Sequence, residues 1–410
     1  MVSMAMLLSA SDKLNIVWPA ASAQGDGFDP TDVEVVVVPL QRLGAPSGMS
    51  GAEVFVIYMR SARQEAGSLP PSHALIVKLQ RRAHKLAAEK EAADAWPAGI
   101  NEKFARPIHL YSVRGYNVLV APFRASVTSI PDEHRLKFQL VMDLYRRILY
   151  RDAGATTPSG RSVEQCVEEV LELVSTVHCQ AWTDPVNGRR QLRYSEEYDW
   201  YLRDTGKPRS KAQEALHKLF GSEAEVQAFG AAWPNPVKLV ERIVTRHDVF
   251  EGAYGPVHGD LHPKNIVFDD ANEANIIDFG WATNGRHIVV DYLLLDINLR
   301  AMTMASQIPE NQLLGAAKCL APTDRPEADT DERLQWRLQA VRDVIWRVAQ
   351  DRHAVSSATG NGWLQEYLIP YFLVAYGLLV YLDNAQNQRA LLACVLAAAE
   401  RIQRELPEIR

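Results

Sequence analysis

The sequence predicts an α+β protein: a small front unit of five strands and one helix, followed by a long, mostly helical part. Three observations predict this. Strand-like, β-branched runs are confined almost entirely to the first third of the chain. A single Ala-, Lys- and Glu-rich stretch interrupts them, and those residues are good helix formers. From about residue 132 onward the texture is helical almost throughout.

The elements follow in order. Residues 1–30 are weakly patterned and read as an N-terminal extension. Val33–Leu40, Glu53–Arg60 (EVFVIYMR) and His73–Gln80 (HALIVKLQ) are the first three strands. A turn-rich loop, Gly44–Gly51, joins the first two, and a Gly/Ser/Pro linker, Ala66–Ser72, joins the next two. Arg81–Trp96 is the helix, stopped by Pro97. Ile108–Val113 and Tyr116–Phe123 are the last strands, turned by Arg114-Gly115. The domain reading is therefore extension 1–30, front unit 31–123 and helical part 124–410.

Within the helical part the pattern predicts helices over Glu133–Tyr150, Ser162–Ala181, Ala212–Leu219, Glu223–Ala231, Pro236–His247, Asp291–Met304, Asp331–Asp351, Leu364–Leu382 and Gln386–Glu405. One hairpin-like interruption occurs at Ile266–Asp278, around the turn Asp270–Glu273.

Composition excludes several classes. The chain has 410 residues with 47% hydrophobic and 23% charged, which excludes disorder and fibrous repeats. A formal net charge of −6 does not suit a general nucleic-acid binder. The four cysteines (Cys166, Cys179, Cys319, Cys394) lack C-x-x-C spacing, against a structural zinc site or a disulfide scaffold. Leu368–Leu382 is apolar but about 15 residues long, short of the roughly 20 needed to span a bilayer, and reads as a buried helix. The expectation is a cytoplasmic protein with neither nucleic acid nor membrane as partner.

The chemistry concentrates in Val257–Phe268 (VHGDLHPKNIVF) and Ile276–Gly280 (IIDFG). An Asp, an Asn five residues on and a second Asp thirteen after it suit phosphoryl transfer, where catalysis is positioning plus charge neutralisation. Asp260 can orient or deprotonate an attacking hydroxyl. Asn265 and Asp278 offer oxygen ligands to magnesium, a hard cation.

This block resembles the catalytic loop of the kinase-like phosphotransferases, which include aminoglycoside phosphotransferases and choline and homoserine kinases. The resemblance rests on His258, Gly259, Asp260, His262, Asn265 and Asp278 and extends loosely over residues 33–300. It implies a bilobed protein-kinase-like fold, with a five-stranded antiparallel N-lobe sheet carrying one helix and a helical C-lobe. It implies ATP and Mg2+ as cofactors, a nucleotide as partner, and a hydroxyl-bearing small-molecule acceptor. A protein acceptor, or a nucleotide-binding module without turnover, are the alternatives.

The same resemblance distributes further roles. Lys78 takes the position of the strand lysine that meets the nucleotide phosphates. Its helix partner is Glu91 in EAADAW, with Glu89 as the alternative. Gly48, Ser50 and Gly51 take the place of a phosphate-covering loop, where glycine lets backbone N–H groups approach closely. Val118–Phe123 takes the place of the hinge that reads adenine, which makes Val120 and Phe123 nucleotide-binding candidates. Asp291 is expected to brace the catalytic loop, His258 and His262 to organise it, and Trp281 to serve packing.

Overall fold

The computed structural model describes residues 33–39, 53–61, 73–80, 83–97, 103–113, 116–123, 142–155, 160–180, 188–202, 218–268, 272–357 and 360–407. Gly48, Ser50, Gly51 and the 1–30 extension lie outside them. In chain order the strands are β1 (Val33–Pro39), β2 (Glu53–Ser61), β3 (His73–Gln80), β4 (His109–Val113), β5 (Tyr116–Phe123), β6 (Met142–Asp143), β7 (Arg189–Arg193), β8 (Glu225–Ala228), β9 (Ala231–Pro234), β10 (Val249–Val257), β11 (Ile266–Phe268), β12 (Ala274–Ile276) and β13 (Thr283–His287).

The chain forms two compact units, and the division does not follow the sequence in one cut. The first holds residues 1–147, 157–160 and 263–284; the second holds 148–156, 161–262 and 285–410. Domain assignment from strand texture alone put residues 263–284 with the helical part. Strand pairing explains the difference. β11 pairs antiparallel with both β12 and β6, and Phe104 bridges to Ile276. Phe279 is fully buried in an edge-to-face cluster with Trp96 and Phe104, at ring separations of 5.0 and 6.5 Å.

The first unit contains a five-stranded sheet in the order β1-β2-β3-β5-β4, antiparallel throughout. The 33–39 run is nearly all valine, which suits a pleated strand. Helix Ala83–Ala95 buries Leu86, Glu89, Ala93 and then Trp96. That spacing of three, four and three is one face of an α-helix.

The second unit is mostly helical. Helix Val163–His178 starts from a capping box between Ser162 and Gln165 and buries a long apolar stripe. Helices Val289–Ile297 and Ile369–Leu378 are almost wholly buried. The apolar stretch Leu364–Leu382 is long enough to cross a membrane by composition, but 78% of it is buried within the fold.

Two departures from the helical expectation have local causes. Glu223–Ala231 is not a helix: β8 and β9 form a hairpin there. Phe229 (φ 51°) and Gly230 (φ 73°) both adopt left-handed backbone at its tip, the signature of a type I′ turn. Val249–Val257 is a strand that sequence texture missed, because Gly252, Gly255 and Pro256 dilute its β-branched character. It lies at the centre of the sheet β13-β10-β7.

Candidate active site

In the first unit the site is built around Lys78. β3 places this lysine in a row of buried residues, and its side chain is only 7% exposed. A buried ammonium needs a partner. It has two: Glu89 Oε1 at 2.6 Å and Asp278 Oδ1 at 2.9 Å. Burial alone would lower the Lys78 pKa. The carboxylates of Asp278 and Glu89 outweigh burial and hold it above the ordinary lysine range.

The helix partner is therefore Glu89 and not Glu91. Helical geometry decides this. Glu89 lies three residues after buried Leu86 and four before buried Ala93, on the face turned to the sheet. Glu91 is two residues from Glu89, about 200° around the helix, and is exposed.

Asp278 arrives at Lys78 by way of β12 and a left-handed backbone step at φ 70°. A non-glycine residue there costs roughly 1–2 kcal/mol, and such strain is concentrated at functional positions. The Ile277 N–H donates to the Asn265 carbonyl at 2.9 Å, which ties the Asp278 segment to the Asn265 turn. Asn265 is buried at 6% exposure, while the Asp278 side chain is 36% exposed.

This donor set can be tested for magnesium. It offers one carboxylate and one amide, all hard oxygen. Among the described residues no group of three or more His, Cys, Asp or Glu is gathered. One carboxylate and one amide are the kind of sparse, hard-oxygen set that a magnesium ion completes with substrate phosphates.

Lys264, in the same turn as Asn265, is half-buried. Its ammonium lies 4.9 Å from the Tyr145 ring centre, and burial lowers its pKa while Asp143 partly restores it. Val120 has its carbonyl bound by the Ile108 N–H at 2.8 Å and its side chain fully buried. β4 pairing stops at His109↔Val120, so among the described residues Ala121 to Phe123 are paired on the β3 side alone. Trp281 is 43% exposed.

In the second unit β10 leads into the turn His258–His262. Gly259 takes φ 76°, a turn only glycine makes without strain. Asp291, from helix Val289–Ile297, is fully buried beneath this turn. Its Oδ2 accepts the His258 N–H at 2.9 Å and its Oδ1 accepts the Gly259 N–H at 2.8 Å. His178 Nε2 lies 3.0 Å from Oδ2, so that nitrogen carries the donated proton. Burial alone would raise the Asp291 pKa; the hydrogen bond and charge of His178, with His258, hold it below the ordinary range. The bracing role expected of Asp291 is the geometry observed, and His178 is its partner, which sequence reading did not find. Asp260 follows on this braced turn, with His262 Nε2 at 3.7 Å from its Oδ2.

Comparison with known proteins adds the following. A family model described as ternary complex associated domain 9 matches residues 146–379, more than half of the chain. No curated protein matches. Among solved structures, a thermostable mutant of aminoglycoside phosphotransferase APH(4)-Ia in ternary complex with ADP and hygromycin B is similar at 10% identity. That likeness covers 89% of this chain and 93% of the other, with a TM-score of 0.41. The apo form of a thermostable mutant of the same enzyme gives 12% identity, 89% and 94% coverage and a TM-score of 0.37.

Proposed function

We propose that this chain, which belongs to the ternary complex associated domain 9 family, is an ATP- and Mg2+-dependent phosphotransferase that moves the γ-phosphate to a hydroxyl group. The observation that carries the reading is the buried lysine bridge: Lys78 held by Glu89 at 2.6 Å and by Asp278 at 2.9 Å. A structural core has little use for such a bridge, because isolating a cation in it is costly. A phosphate-handling site does have a use for a fixed, charged amine beside a metal-binding carboxylate.

On this reading Lys78 meets the nucleotide phosphates, and Glu89 aims it. Asn265 and Asp278 hold magnesium, which when bound neutralises charge developing on the transferred group. Asp260 accepts the proton of the attacking hydroxyl, on a turn whose backbone Asp291 fixes. Residues Ala121–Phe123, whose backbone is paired on one side only, replace Val120 as the segment that reads the base. The acceptor is a small hydroxyl-bearing molecule, and the setting is the cytoplasm.

The test is a thermal shift with ATP and Mg2+, followed by ADP release against a panel of aminoglycosides, choline-like amines, sugars and proteins. The reading expects a shift and acceptor-stimulated release. A shift without release from any acceptor would favour a nucleotide-binding module; absence of both would remove the proposal.

A further inference from the structure

We propose that the second unit carries a separate oxyanion-binding site centred on Arg190, for a small polar ligand bearing a carboxylate or phosphate group. Strand β7 has the sequence RRQLR. Arg189 is paired with Glu366 at 2.7 Å and Glu251 at 3.0 Å. Arg193 is paired with Asp248 at 2.8 Å. Arg190 has no carboxylate partner among the described residues. Its guanidinium instead lies 4.5 Å from the Tyr254 ring centre, and the residue is exposed.

The register explains the stack. Arg190 sits opposite Gly252 on β10, where a Cβ would collide with Phe250 and His287, and Tyr254 is the diagonal neighbour on the same face. The ring itself is placed by a third strand. A Cβ at Gly285 on β13 would overlap the Tyr254 hydroxyl and come within 2.7 Å of its Cζ. Three strands thus cooperate to hold one arginine over one ring.

A guanidinium held over a ring with no carboxylate partner can offer N–H donors to a planar or tetrahedral oxyanion, which arginine binds bidentately. Stacking also removes much of the ordering cost a mobile arginine would bear on binding. β7 and β10 border an open groove of about 500 Å3, lined beside Arg190 by Arg189 with its partner Glu251 and by Gln191, Val249 and Gln365. Its size suits a small-molecule body, and the amides offer polar contacts to it. This site stands whether or not the chain transfers phosphate, since no residue of it belongs to the lysine bridge or the catalytic loop.

The experiment uses the full chain with 15N-arginine, reading the Arg190 Nε–Hε resonance, assigned by its loss in Arg190→Gln. Inorganic phosphate and acetate are titrated separately at matched ionic strength. The expected result is a saturable shift of that resonance with at least one probe, which tells a phosphate source from a carboxylate source. Arg190→Lys, which keeps charge but loses the fork, should weaken the calorimetric affinity for that probe about tenfold. Gly285→Ala should weaken it too by displacing Tyr254; its fold is checked by circular dichroism, and Arg190→Lys stands alone if it misfolds. A resonance that moves with neither probe, or an Arg190→Lys affinity equal to wild type, would overturn the proposal.

Discussion

Replacing Glu89 by Gln isolates the central electrostatic contact. The two side chains of the Lys78–Glu89 pair are each 7% exposed, so water screens them little. Breaking a buried pair outright costs about 3–5 kcal/mol, because it strands a charge. Glutamine keeps a hydrogen-bond acceptor, and Asp278 at 2.9 Å still compensates Lys78. The expected loss is therefore that of one charge-assisted hydrogen bond, about 2 kcal/mol. Urea denaturation would read it as a lower midpoint at unchanged slope. Glu91→Gln, on the exposed face, should stay within about 0.5 kcal/mol. The apparent ATP affinity should fall in the first variant and hold in the second. Equal losses in both variants, or a neutral Glu89→Gln, would refute the assignment.

Other outcomes follow from the same geometry. His287 is buried with its pKa lowered to about 3, by burial first and then by Arg189 and Arg286. The unfolded chain binds that proton below about 6.5, so stability falls as pH drops from 6.5 toward 3, by about 2 kcal/mol at pH 5. His287→Gln should flatten the slope of denaturation midpoint against pH in that window. Asp143 is pushed up to about 6, mainly by burial, although its Oδ1 accepts the Arg146 N–H at 2.6 Å. A raised carboxyl contributes stability below about pH 4 that is lost as pH rises through 6. Asp143→Asn should accordingly stabilise by about 2–3 kcal/mol above pH 6 and converge with wild type below pH 4, read by thermal melts. Asp291→Asn turns one acceptor into a donor that faces either the Gly259 N–H or the His258 N–H together with His178. It should cost about 3 kcal/mol and reduce turnover more than nucleotide affinity, read by denaturation and ADP-release kinetics.

How much was legible in the sequence varied with the physics behind each feature. The strand runs at 33–40, 53–60 and 73–80 differ from the observed strands by at most one residue, because β-branched texture and the flanking Gly/Pro segments agree. Lys78 stood out as a lysine between apolar strand neighbours. Its partner was misread because a motif likeness to EAADAW was weighed above helical phase. Leu86, Glu89 and Ala93 alone would have given the answer. The hairpin Ile266–Asp278 was legible, but its membership of the first unit was not, since that depends on pairing with β6 and on Phe104, far away in sequence. The second-unit sheet was not legible for a related reason: β7 and β13 are short, β10 is broken in texture by Gly252, Gly255 and Pro256, and the three are defined by one another and not by local propensity.

The most direct test of the phosphotransferase account compares Asp260→Ala with wild type, using ATP binding and acceptor-dependent ADP release together. The account predicts ATP–Mg2+ affinity within about threefold of wild type, since Asp260 is assigned no contact with the nucleotide, and release lowered by at least 100-fold, the low end of what a positioned proton acceptor contributes. Release at the wild-type rate from Asp260→Ala would contradict it.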